Sequence, residues 1–466
     1  MKCLAIILKK VQQTQIGEIC KKLCALILDG QDALRDIYSI GLKTLIGDVP
    51  DSMGNLVVEK LTANLLTGIA RPGAEDIKRE CLDLMSDLLK RFGNLNDREH
   101  IDIMNAVVGQ LDHDKVIIRK RAANCLGSLA VVSSDALLNR LIQTLLEKIE
   151  VSEKKSSSSS QETRTLIQTI GTISRTVGYR LGRHLERIIP LFVRFCGDPA
   201  DESQHTDTAN ELRENCFPGL ESFVLRCPRE VSPFIQSILK VALAFLKYDP
   251  NYYDDEDDAV EMGQDDDEGG GSDDQQDEDD MDFDQQDDFG AGSDNDDTSW
   301  KVRKAAIKVI SAIISTARPE LLHELYDSCG DDLISRFKER EENVRLDVIA
   351  CFTLLVQATS VNSSSSGSSN HGGRAGGIPS APPLVRQRST VNQLEARAAH
   401  IVSASLNQLS GQSLKTKSAI FVMLRAVVTA LNVIFSCIVA LALLIAASRV
   451  DWTSMLLVCL LWLTSA

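Results

Sequence analysis

The run Trp300-Lys301-Val302-Arg303-Lys304-Ala305-Ala306-Ile307-Lys308-Val309-Ile310 decides the fold. Its apolar residues recur three and four positions apart, the spacing of one helix face, and predict a helix over 300–317. That helix opens with an apolar residue followed by a base. The same opening, an apolar residue or Thr and then Arg or Lys, recurs at Arg35, Lys78, Arg119, Arg164, Arg213, Arg303, Arg345 and Lys415. The gaps between these starts are 43, 41, 45, 49, 90, 42 and 70 residues. The gap of 90 holds an acidic window and the gap of 70 a Ser/Gly/Pro-rich stretch. With those set aside, each gap approaches one period of about 40 residues, and a period of about 40–47 with two helices per unit marks HEAT repeats.

Each unit reads as a first helix, a short turn and a base-led second helix. Residues 135–151 and 162–176 make one such pair, and 183–196 and 211–227 the next. The first helix over 229–247 meets its second, 300–317, only after the acidic window. Neither helix of a pair buries its apolar stripe alone, so neighbouring units must stack. The expected fold is all-α: a HEAT-repeat (ARM-type) right-handed α-solenoid of about eight units. The recurring bases are expected to form a structural, hydrogen-bonded ladder along its inner edge, paired with acids of the adjacent turn. Residues 1–11, with Cys3, Leu4, Ile6, Ile7 and Leu8 on one side, read as a lone second helix without its first.

Composition agrees. Of 466 residues, 44% are hydrophobic but only 5% aromatic, which favours packed helices over a sandwich or barrel. The net charge of −16 is unevenly spread: residues 251–300 carry 23 Asp or Glu and no Lys or Arg. The remainder has 50 basic against 43 acidic residues, a net of +7. The 12 Cys include no CxxC and lie mostly in apolar helical runs, so they read as buried thiols rather than a disulfide framework.

The resulting division is 1–247 HEAT repeats, 248–299 an acidic insert, and 300–359 HEAT repeats again. Residues 360–392 follow as a Ser/Gly/Pro-rich linker, and 393–431 as a partial repeat. The insert has too few apolar residues to order itself and is expected to be disordered. Asp254, Asp255, Glu256, Asp257 and Asp258 are its candidate contacts for a basic partner. The pentaserine 156–160 reads as a flexible loop within one unit.

Residues 426–448 are 23 in a row without charge, long enough to span a bilayer. Lys415, Lys417 and Arg425 on one side against Arg449 on the other would keep the solenoid cytosolic. This stretch is read as either a candidate transmembrane helix or an aberrant hydrophobic tail on a truncated product.

No phosphate-binding loop, dinucleotide fingerprint, zinc-protease motif or nucleophile elbow is present. The seven His are scattered, with no pair at metal-ligand spacing. No enzyme, cofactor or metal site is expected. Nucleic acid is disfavoured by the small basic surplus, the few aromatics and the acidic insert.

Certain stretches carry a family resemblance. Leu34-Arg35-Asp36-Ile37-Tyr38-Ser39-Ile40-Gly41-Leu42-Lys43-Thr44 and Arg183-His184-Leu185-Glu186-Arg187-Ile188-Ile189-Pro190-Leu191 resemble repeats of the cullin-associated, neddylation-dissociated proteins. More specific is an ordered composite. Leu246-Lys247-Tyr248-Asp249-Pro250-Asn251-Tyr252 leads into the acidic insert, and Ser299-Trp300-Lys301-Val302-Arg303 closes it. Ile334-Ser335-Arg336-Phe337-Lys338-Glu339-Arg340-Glu341-Glu342-Asn343-Val344 follows.

The resemblance covers about residues 1–431 and implies a non-enzymatic scaffold. Such scaffolds wrap cullin–RING cores lacking the ubiquitin-like modifier and regulate assembly and substrate-receptor exchange of SCF-type ubiquitin ligases. It also implies that the N-terminal repeats embrace the cullin's C-terminal region and the RING subunit, in the cytoplasm and nucleus. Against the family pattern the chain lacks the first repeat and a half. It stops after about a third of the usual length, without the adaptor-displacing repeats. Two other readings are an importin-β-like HEAT transport receptor and a HEAT adaptor tethered to a membrane through 426–448.

Overall fold

The computed structural model describes residues 11–95, 97–154, 159–250, 298–364, 383–411 and 413–431. Among these residues the secondary structure is helical, with no strand. The longer helices are α1 (Gln13–Asp29), α2 (Arg35–Asp48), α3 (Gly54–Ala70), α4 (Glu75–Phe92), α5 (His100–Val108), α6 (Val116–Val132), α7 (Asp135–Glu153) and α8 (Ser159–Val177). They continue as α9 (Leu185–Cys196), α10 (Asp207–Arg226), α11 (Ile235–Leu246), α12 (Ser299–Thr316), α13 (Glu342–Ser364), α14 (Pro383–Leu409) and α15 (Leu414–Leu431).

The helices form two layers. The base-led helices α2, α4, α6, α8, α10, α12, α13 and α15 each pack on the next in one continuous row. The first helices α1, α3, α5, α7, α9, α11 and α14 each cover the base-led helix of their own unit. Before α13 the covering element is a broken helix. It runs through Leu322–Leu325, a π-turn at Tyr326–Gly330 and Asp331–Ser335. The chain is thus an all-α solenoid of stacked helix pairs, with one apolar core running from Ile16 to Leu431.

Local chemistry sets the helix ends. The Ser134 and Thr206 side chains accept the backbone N–H groups of Leu137 and Ala209, capping α7 and α10. Gly197, at φ +73°, ends α9 in the left-handed region open to glycine. Arginines of one unit also cap helix ends in the unit before. Arg71 donates to the Leu28 carbonyl (2.5 Å), Arg91 to that of Val49 (2.6 Å), and Arg180 to those of Ala130, Val131 and Ser133 (3.0, 3.1 and 2.6 Å). Each answers the unpaired carbonyls and negative end of a helix. At the π-turn, Arg397 of α14 pairs with Asp331 at 2.9 Å, seating α14 on the broken helix.

Three expectations need adjustment. Helix α8 starts at Ser159, inside the pentaserine, and residues 155–158 lie outside the described residues. Helices α13 and α14 run into both ends of 360–392, reaching Ser364 and starting at Pro383. A serine stretch continues a helix already nucleated by the apolar run before it, and Pro383 suits a first helical position. Finally, Ala426–Leu431, read as the start of a membrane span, is the last part of α15, where Val427, Ala430 and Leu431 are buried in the solenoid core. Among the described residues no helix is long and apolar enough to cross a membrane. Residues 1–10 and 432–466 lie outside the described residues.

Candidate functional site

The base that opens each second helix has a recurring task. Arg35 Nε donates to the Ile27 carbonyl (3.1 Å), Lys78 Nζ to that of Ile69 (2.7 Å), and Arg119 Nη1 to those of His113 and Asp114 (2.7 and 2.8 Å). Arg213 Nε donates to Cys196 (3.0 Å), Arg303 Nη1 to Tyr248 (2.9 Å) and Arg345 Nη1 to Glu339 (2.6 Å). The acceptors are backbone carbonyls of the first helix's last turn or of the turn after it. Those carbonyls have no partner within their own helix, and a cation meets both their lone pairs and the helix's negative end. Recurrent acceptors are therefore carbonyls, with acids added at Arg35 (Asp32, 2.5 Å) and Arg303.

Two residues of the expected ladder sit elsewhere. Arg164 is only partly buried and pairs with Glu211 of α10. Lys415 is exposed. In both helices the adjacent threonine is the buried residue, and it closes the step. Arg119 Nε donates to Thr165 Oγ1 (3.1 Å) and Arg345 Nε to Thr416 Oγ1 (3.2 Å). A short hydroxyl fits where the preceding arginine already fills the space.

The densest polar cluster lies where the chain leaves for the acidic insert and returns. Arg303 is fully buried and Glu339 is 2% exposed. Arg303 Nη2 donates to Glu339 Oε1 (3.1 Å), and Nη1 reaches the Ser299 hydroxyl (2.8 Å) and the Asp249 carboxylate (3.6 Å). Arg340 holds the same Asp249 oxygen at 3.1 Å, and Arg336 pairs with Glu339. On the other side, Arg213 Nη1 donates to Asn210 Oδ1 (2.9 Å) and lies near the Tyr248 hydroxyl (3.3 Å). The Tyr248 hydroxyl donates to Asn210 Oδ1 (3.1 Å), and Asn210 Nδ2 reaches Thr298 Oγ1 (3.4 Å). The Arg213 guanidinium also stacks over the Phe245 ring at 4.8 Å.

The described parts of the three segments of the sequence composite, 246–250, 299–303 and 334–344, thus meet in one clasp. Arg213 and Arg303 were visible as repeat markers. Asn210 carried no signal, and Asp249 and Glu339, although within the composite, had nothing in their local pattern to mark them as buried partners of an arginine rather than surface acids. Asp254, Asp255, Glu256, Asp257 and Asp258 lie outside the described residues.

The partly buried edge of the base-led row carries alternating charge. Asp83 of α4 lies between Lys43 of α2 (3.8 Å) and Arg121 of α6 (3.3 Å). Helix α10 presents Glu211, Glu214 and Glu221, while α12 presents Lys301, Lys304 and Lys308. Burial pushes the Glu214 carboxyl up to about 7, against the pull of Lys301. Burial also raises Glu221, Asp83 and Asp347 above the usual carboxylate range.

The described cysteines are free and buried, with their thiols pushed up by desolvation to about 12 at Cys24, Cys81, Cys125 and Cys351. Among the described residues no group of three His, Cys, Asp or Glu could hold a metal ion.

No family model matches the chain. Curated relatives do. The cullin-associated NEDD8-dissociated protein 1 of Arabidopsis thaliana is 34% identical over 432 residues, 92% of this chain and 32% of that protein. The Dictyostelium discoideum protein of the same name is 40% identical over 365 residues, 77% of this chain and 28% of its own. The chain belongs to the cullin-associated NEDD8-dissociated family. It spans about a third of the length of the curated relatives it matches. From Emericella nidulans, family relatives described as a C-terminal part and an N-terminal part match 36% and 38% of this chain, at 37% and 23% identity. Among solved structures, importin beta aligns with a TM-score of 0.59 at 12% identity, over 95% of this chain and 45% of that one. Kap121p bound to RanGTP aligns at 0.55 and 11%, over 95% and 37%. At these identities the likeness is one of fold.

Proposed function

We propose that this chain binds cullin–RING cores lacking the ubiquitin-like modifier and regulates assembly and receptor exchange of SCF-type ubiquitin ligases, as a scaffold and not an enzyme. The observation that carries this reading is the 34–40% identity over most of the chain to relatives named for cullin association and NEDD8 dissociation. A stacked solenoid suits the task, because its repeats build one long face able to follow an elongated partner. The alternating charges along the base-led row are the proposed contact face, with the RING subunit contacted alongside the cullin.

The test is a pull-down with the tagged full chain. Unmodified cullin–RING core and the same core carrying the modifier are offered separately. Capture of the unmodified core alone supports the proposal. Equal capture of both forms, or of neither, contradicts it.

A further inference from the structure

Four consecutive base-led helices, α4, α6, α8 and α10, end side by side, and each end exposes a large apolar side chain. Leu95, in the turn after α4, Val131, in the last turn of α6, and Leu225, in the last turn of α10, are each about half exposed. Tyr179, in the turn after α8, is 79% exposed. Contacts between the ends fix their order. A Cβ on Gly93 would stand 2.7 Å from Val132 Cγ2, Arg180 donates to the Val131 carbonyl at 3.1 Å, and Cys227 Sγ donates to the Gly178 carbonyl at 3.5 Å. Packed helices lie about 8–10 Å apart, so the four side chains form a line roughly 30 Å long. Scattered apolar residues are ordinary on a surface, whereas one at each of four successive ends is an aligned set.

Tyr179 is the anchor of this line. Gly178 turns the chain at φ +58°. The turn is held from both sides, by Cys227 of the α10 end and by Arg180, which also pairs with Asp135 at 3.0 Å. An exposed aromatic ring on a fixed turn loses little freedom when a partner covers it, which suits a binding hot spot. The surroundings are net basic: Arg98, Arg180, Arg183, Arg226 and Arg229 stand against Asp97, Asp135 and Glu230. Asp135 is already paired with Arg180 and Arg183. Exposed Arg226 and Arg229 sit beside Leu225, so this end of the line favours a partner bearing carboxylates.

We propose that this line is a docking site for an acidic amphipathic helix of a partner protein, with an apolar residue at every seventh position. Seven helical residues rise about 10.5 Å, close to the spacing of the four ends. An extended strand covers that distance in three residues, and its alternate side chains then face away from the line. Carboxylates beside the apolar positions meet Arg226 and Arg229. The site lies at the ends of the helices, past Glu221 of α10, and does not depend on the cullin–RING reading.

The experiment titrates the full chain against a fluorescein-labelled helical peptide about 22 residues long, read by fluorescence anisotropy. The peptide carries leucine at every seventh position and glutamate on the opposite face. Two comparison peptides have the leucines at every fifth position, or lysine in place of glutamate. The expected result is saturable binding of the first peptide and at least tenfold weaker binding of the other two. Tyr179→Ser should weaken binding at least tenfold and Leu225→Ser at least threefold. Arg226→Gln should weaken it and flatten its salt dependence. Val151→Ser, at an exposed apolar residue away from the line, should leave binding unchanged. These side chains are exposed, and thermal unfolding verifies that each variant keeps its fold. No binding of the first peptide, equal binding of all three, or indifference to Tyr179→Ser would overturn the proposal. Phosphatidylserine vesicles captured in a Tyr179-dependent way would overturn it in favour of a membrane contact. A Tyr179→Ser chain that loses the unmodified cullin–RING core captured by the wild type would overturn it by assigning the line to that interface.

Discussion

The Arg303 guanidinium and the Glu339 carboxylate form a buried ion pair at 3.1 Å, with neither side chain more than marginally exposed. Burying both charges is costly, and mutual attraction offsets that cost only while both partners are present. Arg303→Leu or Glu339→Gln alone should therefore cost about 3 kcal/mol, the low end for a broken buried pair, because Glu339 keeps only Arg336 and Arg303 only the more distant Asp249. The double change to Leu and Gln should cost clearly less than the sum of the two. Urea unfolding of the four proteins gives the coupling directly, and strict additivity would show that the pair is not the unit of stability.

Thiol chemistry should be silent at the buried cysteines among the described residues. Cys20 is pushed up to about 11, and Cys24, Cys81, Cys125 and Cys351 to about 12. Only the thiolate reacts, and at pH 8 these groups are protonated and out of reach. Alkylation with iodoacetamide followed by peptide mass spectrometry should leave these five positions unlabelled in buffer and label them fully in urea. Labelling of Cys125 in buffer would mean that α6 opens far more readily than its packing implies.

The period of base-led helices was legible in the sequence because each opening combines two demands on one short stretch. The helix needs an apolar face, and its first turn must supply a cation to the preceding helix end. That pairing of demands repeats every unit and so leaves a spaced signal. Where one demand is met differently the signal misleads: at α8 and α15 the buried residues are Thr165 and Thr416, and the neighbouring Arg164 and Lys415 carry the pattern without the role. The acidic half of the clasp had no such signal. Asp249 and Glu339 are 90 positions apart in the sequence, and only folding brings them to the same arginine. The hydrophobicity of Ala426–Leu431 was equally ambiguous, since a core-facing helix end and the start of a membrane span share a composition.

Glycine at position 219 is set by close approach. A Cβ placed there would stand 2.4 Å from Phe192 Cε1, and Phe192 is held edge-on by Phe223 at 5.1 Å. The ring cannot retreat, so Gly219→Ala should overpack the α9–α10 contact. A loss of about 1–3 kcal/mol is expected despite the better helix propensity of alanine. Thermal unfolding checks the sign, and a variant more stable than the wild type would show that Phe192 has room to turn.

Glu214 makes stability depend on pH near neutrality. Burial raises its carboxyl from 4.5 to about 7, with Lys301 and Arg164 pulling the other way and Glu211 adding to the rise. The folded state therefore keeps this proton up to about pH 7, while the unfolded chain releases it near 4.5. Between those values the folded state binds more protons than the unfolded one, so this group's contribution to stability falls as pH rises through the window and stays low above it. Glu214→Gln removes the ionisable proton and keeps the shape. Discounted for the partial solvent access of this edge, the variant should gain roughly 1–2 kcal/mol over wild type at pH 8. Below pH 4.5 the two should be equal. Denaturant unfolding at pH 4, 6 and 8 follows the divergence. A wild type that is the more stable at pH 8 would mean that the attraction of Lys301 and Arg164 for the ionised carboxylate outweighs its burial.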